Sequence, residues 1–351
     1  MLFAVRAAES EVPAGIIVVM SLTQSFRLAT LLVLSVVLAR TSAFAGPVCQ
    51  TRAETMPALP RFEDVMMTGR FVTYDPTSLQ FVNGRATHAD EASIREDLKV
   101  LRPRFDGLIT YTSANGADKV ADVAAKLGYR ALIMGVYDIA SREELDSALA
   151  AAKRHPELVV GLSIGNEVVF SKRATLDQIA SAVMEVRRKA PDLALTTTEP
   201  FHVFLQPAAQ PLLSQLDFML VNVHPIYESW FRSASDENAA EFVVKAVDKL
   251  AEVYCGPILV KETGEPTAPE QAGYTPERQV SFYDALDRKF PPTRARAFAY
   301  FCAFDAPWQV NDSAVPGIRP GREEGHWGIY DEKRQPKPVV NVIPILPKIG
   351  K

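Results

Sequence analysis

Eight short apolar, β-rich segments recur along this chain, each closing on a polar or turn residue. They cover residues 71–75, 105–112, 131–137, 158–167, 194–199, 218–224, 258–262 and 297–305. Helical patterns lie between most of them, at 91–101, 117–127, 142–153, 176–188, 238–253 and 276–286. Near-continuous apolar runs of this kind are parallel strands buried on both faces. Eight such strands alternating with helices over roughly 240 residues predict an α/β fold, a (β/α)8 TIM barrel. An open doubly wound sheet would call for a glycine-rich phosphate loop after the first strand, and Tyr74-Asp75-Pro76 offers none. No repeat or composition break appears inside residues 60–340, so residues 68–351 are expected to form a single domain, with 46–67 as a linker. The fifth crossover, 201–216, holds two prolines and is expected to be short or irregular.

The first 45 residues read differently. From Met20 the chain has a basic residue, Arg27, an apolar run at 28–39, and then Ala43-Phe44-Ala45 before Gly46. That is the layout of a secretory signal peptide with a small-x-small cleavage site. The run is too short to span a bilayer, so export without a stable membrane span is expected. Residues 1–19 match neither a signal nor a domain and are read as an upstream extension. The formal net charge of −4, with no basic runs, argues against nucleic acid as a partner. Of the three cysteines, Cys302 lies in an apolar run as a buried thiol. With Cys49 and Cys255 the count is odd, so an exported chain could oxidise a pair but no disulfide framework is predicted. No Cys/His spacing suggests zinc; no metal or cofactor is expected, and the chain is expected to be a monomer.

In a parallel barrel all strand C-termini share one face, and sites form there. The residues delivered to that face include Asp75, Tyr111, Asn166, Glu167, Glu199, His224, Tyr227, Glu262, Asp305 and Trp308. A lone strand-end carboxylate is more often a loop hydrogen-bond acceptor than a catalyst. Two segments stand out: Leu158–Glu167, ending Gly-Asn-Glu, and Ile258-Leu-Val-Lys-Glu-Thr-Gly-Glu-Pro266. Strands four and seven face each other across a barrel mouth, where Glu167 and Glu262 are expected about 5–5.5 Å apart. That is the separation of an acid/base and a nucleophile in a retaining glycosidase. Asn166 is expected to donate to a sugar hydroxyl, Tyr227 to hold Glu262 ionised, and Trp308 to offer a flat apolar face to a pyranose ring.

Gly165-Asn166-Glu167 and Glu262-Thr263-Gly264-x-Pro266 resemble glycoside hydrolase family 17, (β/α)8 β-1,3-glucanases and related glucanosyltransferases. Val223-His224-Pro225, Phe304-Asp305-x-Pro307-Trp308 and Gly325-His326-Trp327-Gly328-Ile329-Tyr330-Asp331 add to the likeness, in order, over roughly residues 68–340. The resemblance implies Glu167 as acid/base, Glu262 as nucleophile, and His224, Tyr227, Asp305, Trp308 and Trp327 as sugar-site residues, with β-glucan or its oligosaccharides as partner. Two positions depart from the family pattern: Glu265 stands where tryptophan is usual, and Ala306 where an acid is usual. Glu265 is expected to point into the solvated loop. Transfer to a sugar in place of water, action on another β-linked glycan, and non-catalytic glycan binding are the competing readings.

Overall fold

The computed structural model describes residues 47–49, 56–83, 85–311 and 321–347. The signal and upstream extension proposed for residues 1–45 lie outside these, as do residues 312–320 of the loop after Trp308. Eight parallel strands close a barrel: β1 (Phe71–Thr73), β2 (Gly107–Ile109), β3 (Ala131–Val136), β4 (Val159–Asn166), β5 (Leu195–Pro200), β6 (Met219–Asn222), β7 (Ile258–Glu262) and β8 (Arg296–Tyr300). Each pairs in parallel with its neighbours, and β8 closes on β1 through Phe71 opposite Ala299. The predicted (β/α)8 barrel is the observed fold.

The outer helices carry the polar starts that their sequences advertise. Asp90, Ser141, Thr175, Ser235 and Thr275 each accept a bond from the backbone N–H three residues on. Such caps satisfy donors that the first helical turn leaves free, at roughly 1 kcal/mol each. They open α2 (Glu91–Leu101), α4 (Arg142–Arg154), α5 (Leu176–Lys189), α8 (Asp236–Ala251) and α9 (Pro276–Lys289); α3 (Lys119–Lys126) lies between the first two. The fifth crossover is irregular as expected. It consists of α6 (Phe201–Phe204), a 3-10 turn (Pro207–Ala209) and α7 (Gln210–Leu213).

Part of the segment expected as linker is ordered. Helix α1 (Leu59–Thr68) presents Leu59, Phe62, Val65 and Met66 to the bottom of the barrel. There they pack with the inward side chains Ile109, Ile133, Phe218, Leu220 and Leu259. Each such buried side chain is worth roughly 1.5–3 kcal/mol, which is why this stretch cannot hang free. Upstream, Val48 pairs with the chain at Tyr254, and Cys49 is disulfide-bonded to Cys255. One pair therefore forms despite the odd count, and Cys302 stays free. The proline-rich tail packs back: Arg104 Nε donates to the carbonyls of Val340 and Ile343. Among the described residues no helix is long and apolar enough to cross a membrane.

Candidate active site

Above the apolar plug the barrel interior turns polar. Leu259 faces inward, and two residues on, Lys261 follows it. The register then shifts between Val221 and Asn222, which pairs Asn222 with Glu262 and brings both to the rim. Irregularities of this kind re-aim side chains next to sites. β4 ends in a tighter device. Gly165 has φ +84°, where an added Cβ would press on Ile139 and Val168 at 3.2 Å. Glu167 itself sits at φ +51°, unusual for a residue with a side chain. Its N–H donates to the Thr198 carbonyl at 2.8 Å, and its carbonyl accepts from Ser171. The surroundings thus hold the carboxylate in a backbone conformation it would not choose alone.

Both expected carboxylates are buried, Glu167 at 3% exposure and Glu262 at 0%. Asn222 Nδ2 donates to Glu167 Oε1 at 2.9 Å. Burial, and then the negative charge of Glu262, push Glu167 up to about 8. Burial opposes ionisation of Glu262 too, while the adjacent Lys261 ammonium and the His224 ring favour it. Lys261 Nζ lies 3.3 Å from Glu262 Oε1, and His224 Nε2 lies 3.5 Å from Oε2. His224 is boxed by Tyr227, Phe301 and Trp327, with ring centroids at 5.8, 5.4 and 5.4 Å. Burial lowers its pKa, so the ring that faces the carboxylate favours its neutral form. The neighbours of the two glutamates therefore pull in opposite directions, Glu262 toward the charged form and Glu167 toward the protonated one, the condition for acid and nucleophile on one face.

The remaining expected residues divide. Asn166, Tyr111, His224 and Trp327 surround the carboxylates; Lys261 Nζ donates to Asn166 Oδ1 at 2.6 Å and sits 3.8 Å over the Tyr111 ring. Tyr227 does not hold Glu262: its hydroxyl donates to Glu324 Oε1 at 2.8 Å, because Glu324 reaches in from the loop before Trp327. Asp305 is tied into that loop by Lys337 Nζ at 2.6 Å and the Gly328 N–H at 2.8 Å, which leaves it a frame residue at the cleft edge. Trp308 stacks on Phe81 at 5.7 Å and 27°, bringing the hairpin 81–86 over one side of the mouth. Glu199 caps the turn after Glu167 by accepting from the Val169 and Phe170 N–H groups. A cavity of about 620 Å³ runs along this side of the mouth, lined by Asp75, Tyr111, Tyr137, Phe301, Trp308 and Trp327 among others. Ala306 lines it as well, so the missing acid leaves room there.

Glu265 corrects an expectation. It is fully buried, not solvated. Arg278 Nε lies 3.3 Å from its Oε2, and the same guanidinium binds Asp236 at 2.7 and 2.9 Å. Burial, and then the charge of Asp236, push Glu265 up to about 8. Lys261, Asn222 and Glu324 were absent from the expected site. The first two are recoverable from alternation along β7 and β6; Glu324 has no local signal. Among the described residues no group of three or more potential ligands could hold a metal ion.

A glucan 1,3-β-glucosidase of Arthroderma benhamiae is 22% identical over 264 residues, 71% of this chain and 84% of that protein. The cell surface mannoprotein MP65 of Candida albicans is 27% identical over 60% of this chain, which spans 54% of that protein's length. Among solved structures, a glycoside hydrolase family 17 β-1,3-glucanosyltransferase of Rhizomucor miehei superposes with a TM-score of 0.59 at 22% identity, covering 77% of this chain and 96% of that one. An active-site mutant of the Rhizomucor enzyme in complex with laminaritriose superposes equally well, at 0.59 and 19% identity over 79% and 97% of the two chains. Residues 72–328 match the BtgE/BtgC glycoside hydrolase domain, and the chain belongs to that family of glycosidases.

Proposed function

We propose that this chain is a retaining enzyme of β-1,3-glucan, with Glu262 as nucleophile and Glu167 as general acid/base. The observation that carries the reading is the pair of buried carboxylates at the ends of β4 and β7, Glu167 bound by Asn222 and Glu262 beside Lys261 and His224. Glu262 attacks the anomeric carbon as Glu167 gives its proton to the departing glycosidic oxygen. The bond to the leaving sugar breaks and a glucosyl ester on Glu262 forms. Glu167, now a carboxylate, takes the proton of the incoming hydroxyl, and the ester bond breaks. Linkage comes from the relatives: the Arthroderma protein is a glucan 1,3-β-glucosidase, and a Rhizomucor neighbour is seen with laminaritriose. The Cys49–Cys255 bond and a cell-surface relative support export to an oxidising compartment.

A transferase reading has one observation in its favour. Phe170, His202, Phe201, Phe242 and Trp230 form a run of edge-to-face rings leading away from the Glu167 turn, at 5.2–5.9 Å spacing. Rings there give an acceptor sugar an apolar surface. Incubation with a series of β-1,3-gluco-oligosaccharides separates the readings. Shorter products alone mean hydrolysis, and longer or branched products mean transfer. Glu262→Gln and Glu167→Gln are each expected to lose at least about 10³-fold in kcat while retaining the fold. Near wild-type turnover by either would defeat the assignment, and binding without products in the wild type would favour a non-catalytic glycan-binding protein.

A further inference from the structure

We propose that Lys261 is a positioning residue of the reaction, a single ammonium that both keeps the nucleophile ionised and turns the Asn166 amide toward the sugar. The inference rests on the two-glutamate reading above and adds to it a residue that neither motif nor mechanism requires.

An ammonium inside a barrel is costly. Lys261 is 1% exposed, and taking such an ion from water costs several kcal/mol unless its partners compensate. Its own strand explains how it arrives: Leu259 faces the apolar plug, and alternation sends Lys261 into the next layer up. Three contacts from three strands then meet at Nζ. It donates to Asn166 Oδ1 at 2.6 Å from β4, lies 3.3 Å from Glu262 Oε1 on β7, and sits 3.8 Å over the Tyr111 ring beyond β2. Cation–π attraction and a charged hydrogen bond together hold it in place.

The contact with Asn166 has a consequence that a neutral partner would not have. Lysine has donors only, so it must take the amide oxygen, and the two ends of the Asn166 side chain cease to be interchangeable. Nδ2 then faces away, buried and without a partner in the protein. A buried N–H₂ without a partner is costly to keep, and beside the two carboxylates it is a donor available to a substrate hydroxyl. The same ammonium faces Glu262, which also feels Glu167, Asp75 from the turn after β1, Tyr111, His224 and the Cys302 thiol. Among the described residues Lys261 is thus the cation in contact with the nucleophile.

The two roles separate by substitution. Lys261→Met keeps length and volume but removes both charge and donor. Lys261→Gln removes the charge and restores an N–H₂ for Asn166 Oδ1. Both variants are expected to move the acid limb of kcat/KM upward by at least about one pH unit, a tenfold loss on its acid side. Only the Met variant is expected to raise KM for a β-1,3-gluco-oligosaccharide as well, by roughly fivefold or more. An unchanged acid limb in both soluble, folded variants overturns the proposal, as does failure of both to fold, which would make Lys261 a stability element. If Glu167→Gln and Glu262→Gln are inactive while the Lys261 variants keep the wild-type profile, the mechanism stands and only this inference falls. Active glutamate variants would instead remove the mechanism itself.

Discussion

Replacing Glu265 with glutamine should make this protein more stable at neutral and alkaline pH. In the folded chain the carboxyl is fully buried between Arg278 and Asp236, and its pKa is raised from 4.5 to about 8. A buried acid with a raised pKa binds its proton more tightly folded than unfolded. Its contribution is therefore fully present below the unfolded value and is lost as pH climbs through the folded one. The gap, at about 1.36 kcal/mol per unit, sets an upper bound of about 5 kcal/mol lost between pH 4.5 and 8. Because Arg278 already touches both carboxylates and can turn further toward Glu265 once it ionises, roughly half of that bound is the working figure.

Glutamine mimics the protonated state. Its N–H₂ can donate toward Asp236, as the carboxyl proton does, and its oxygen can accept from Arg278. The assay is urea unfolding of the wild type and Glu265→Gln in half-unit steps from pH 5 to 9. Glu167, Glu199, Glu324 and Asp75 also have raised values, but they titrate in both proteins and cancel in the difference. The two proteins should agree within about 1 kcal/mol at pH 5, and the variant should lead by roughly 2–3 kcal/mol at pH 8. Parallel curves, or a wild type that gains on the variant as pH rises, would refute the burial argument.

Three further outcomes follow from the same geometry. The basic limb of kcat/KM should fall near pH 8, where Glu167 gives up its proton, and Asn222→Ala should move that limb upward by removing a bond that favours the ionised form; a pH–rate profile of each checks this. Reducing Cys49–Cys255, which joins residues 206 apart, should lower stability by up to about 5 kcal/mol, read as a drop in Tm with dithiothreitol. Trp308→Ala should raise KM for the longer gluco-oligosaccharides by up to about tenfold, a single ring contact, and leave the Phe81 hairpin without its stacking partner.

The parts of this molecule that a reader can take from its sequence are those governed by local periodicity. The β7 run ends where the apolar residues end, at Glu262, and α2 spans 91–101 as its pattern predicts. The last strand was expected to reach 305 but stops at Tyr300, because the chain beyond it no longer pairs as a strand: the Phe301 N–H turns to the Tyr283 hydroxyl and Ala303 N–H to the Thr73 carbonyl. Helix α1 lies within the stretch expected as linker, and Pro60 stands in its first turn, where proline is at home.

The site follows the same division. Glu167, Glu262, Asn166 and His224 sit at strand ends, so their meeting was implied by the barrel alone. Glu265 was misjudged because its environment comes from α8 and α9, through Asp236 and Arg278, and nothing within the Glu-Thr-Gly-Glu segment reports on them. Lys261 is the instructive middle case. Its position was legible from alternation with Leu259, but a lysine in a buried run looks like an exception to be passed over. Only the distances from Nζ to Asn166, Glu262 and Tyr111 turn that exception into a function. A charge that a strand carries into its own interior is retained against a desolvation cost, and here the groups that offset the cost are those to which the proposed mechanism assigns the chemistry.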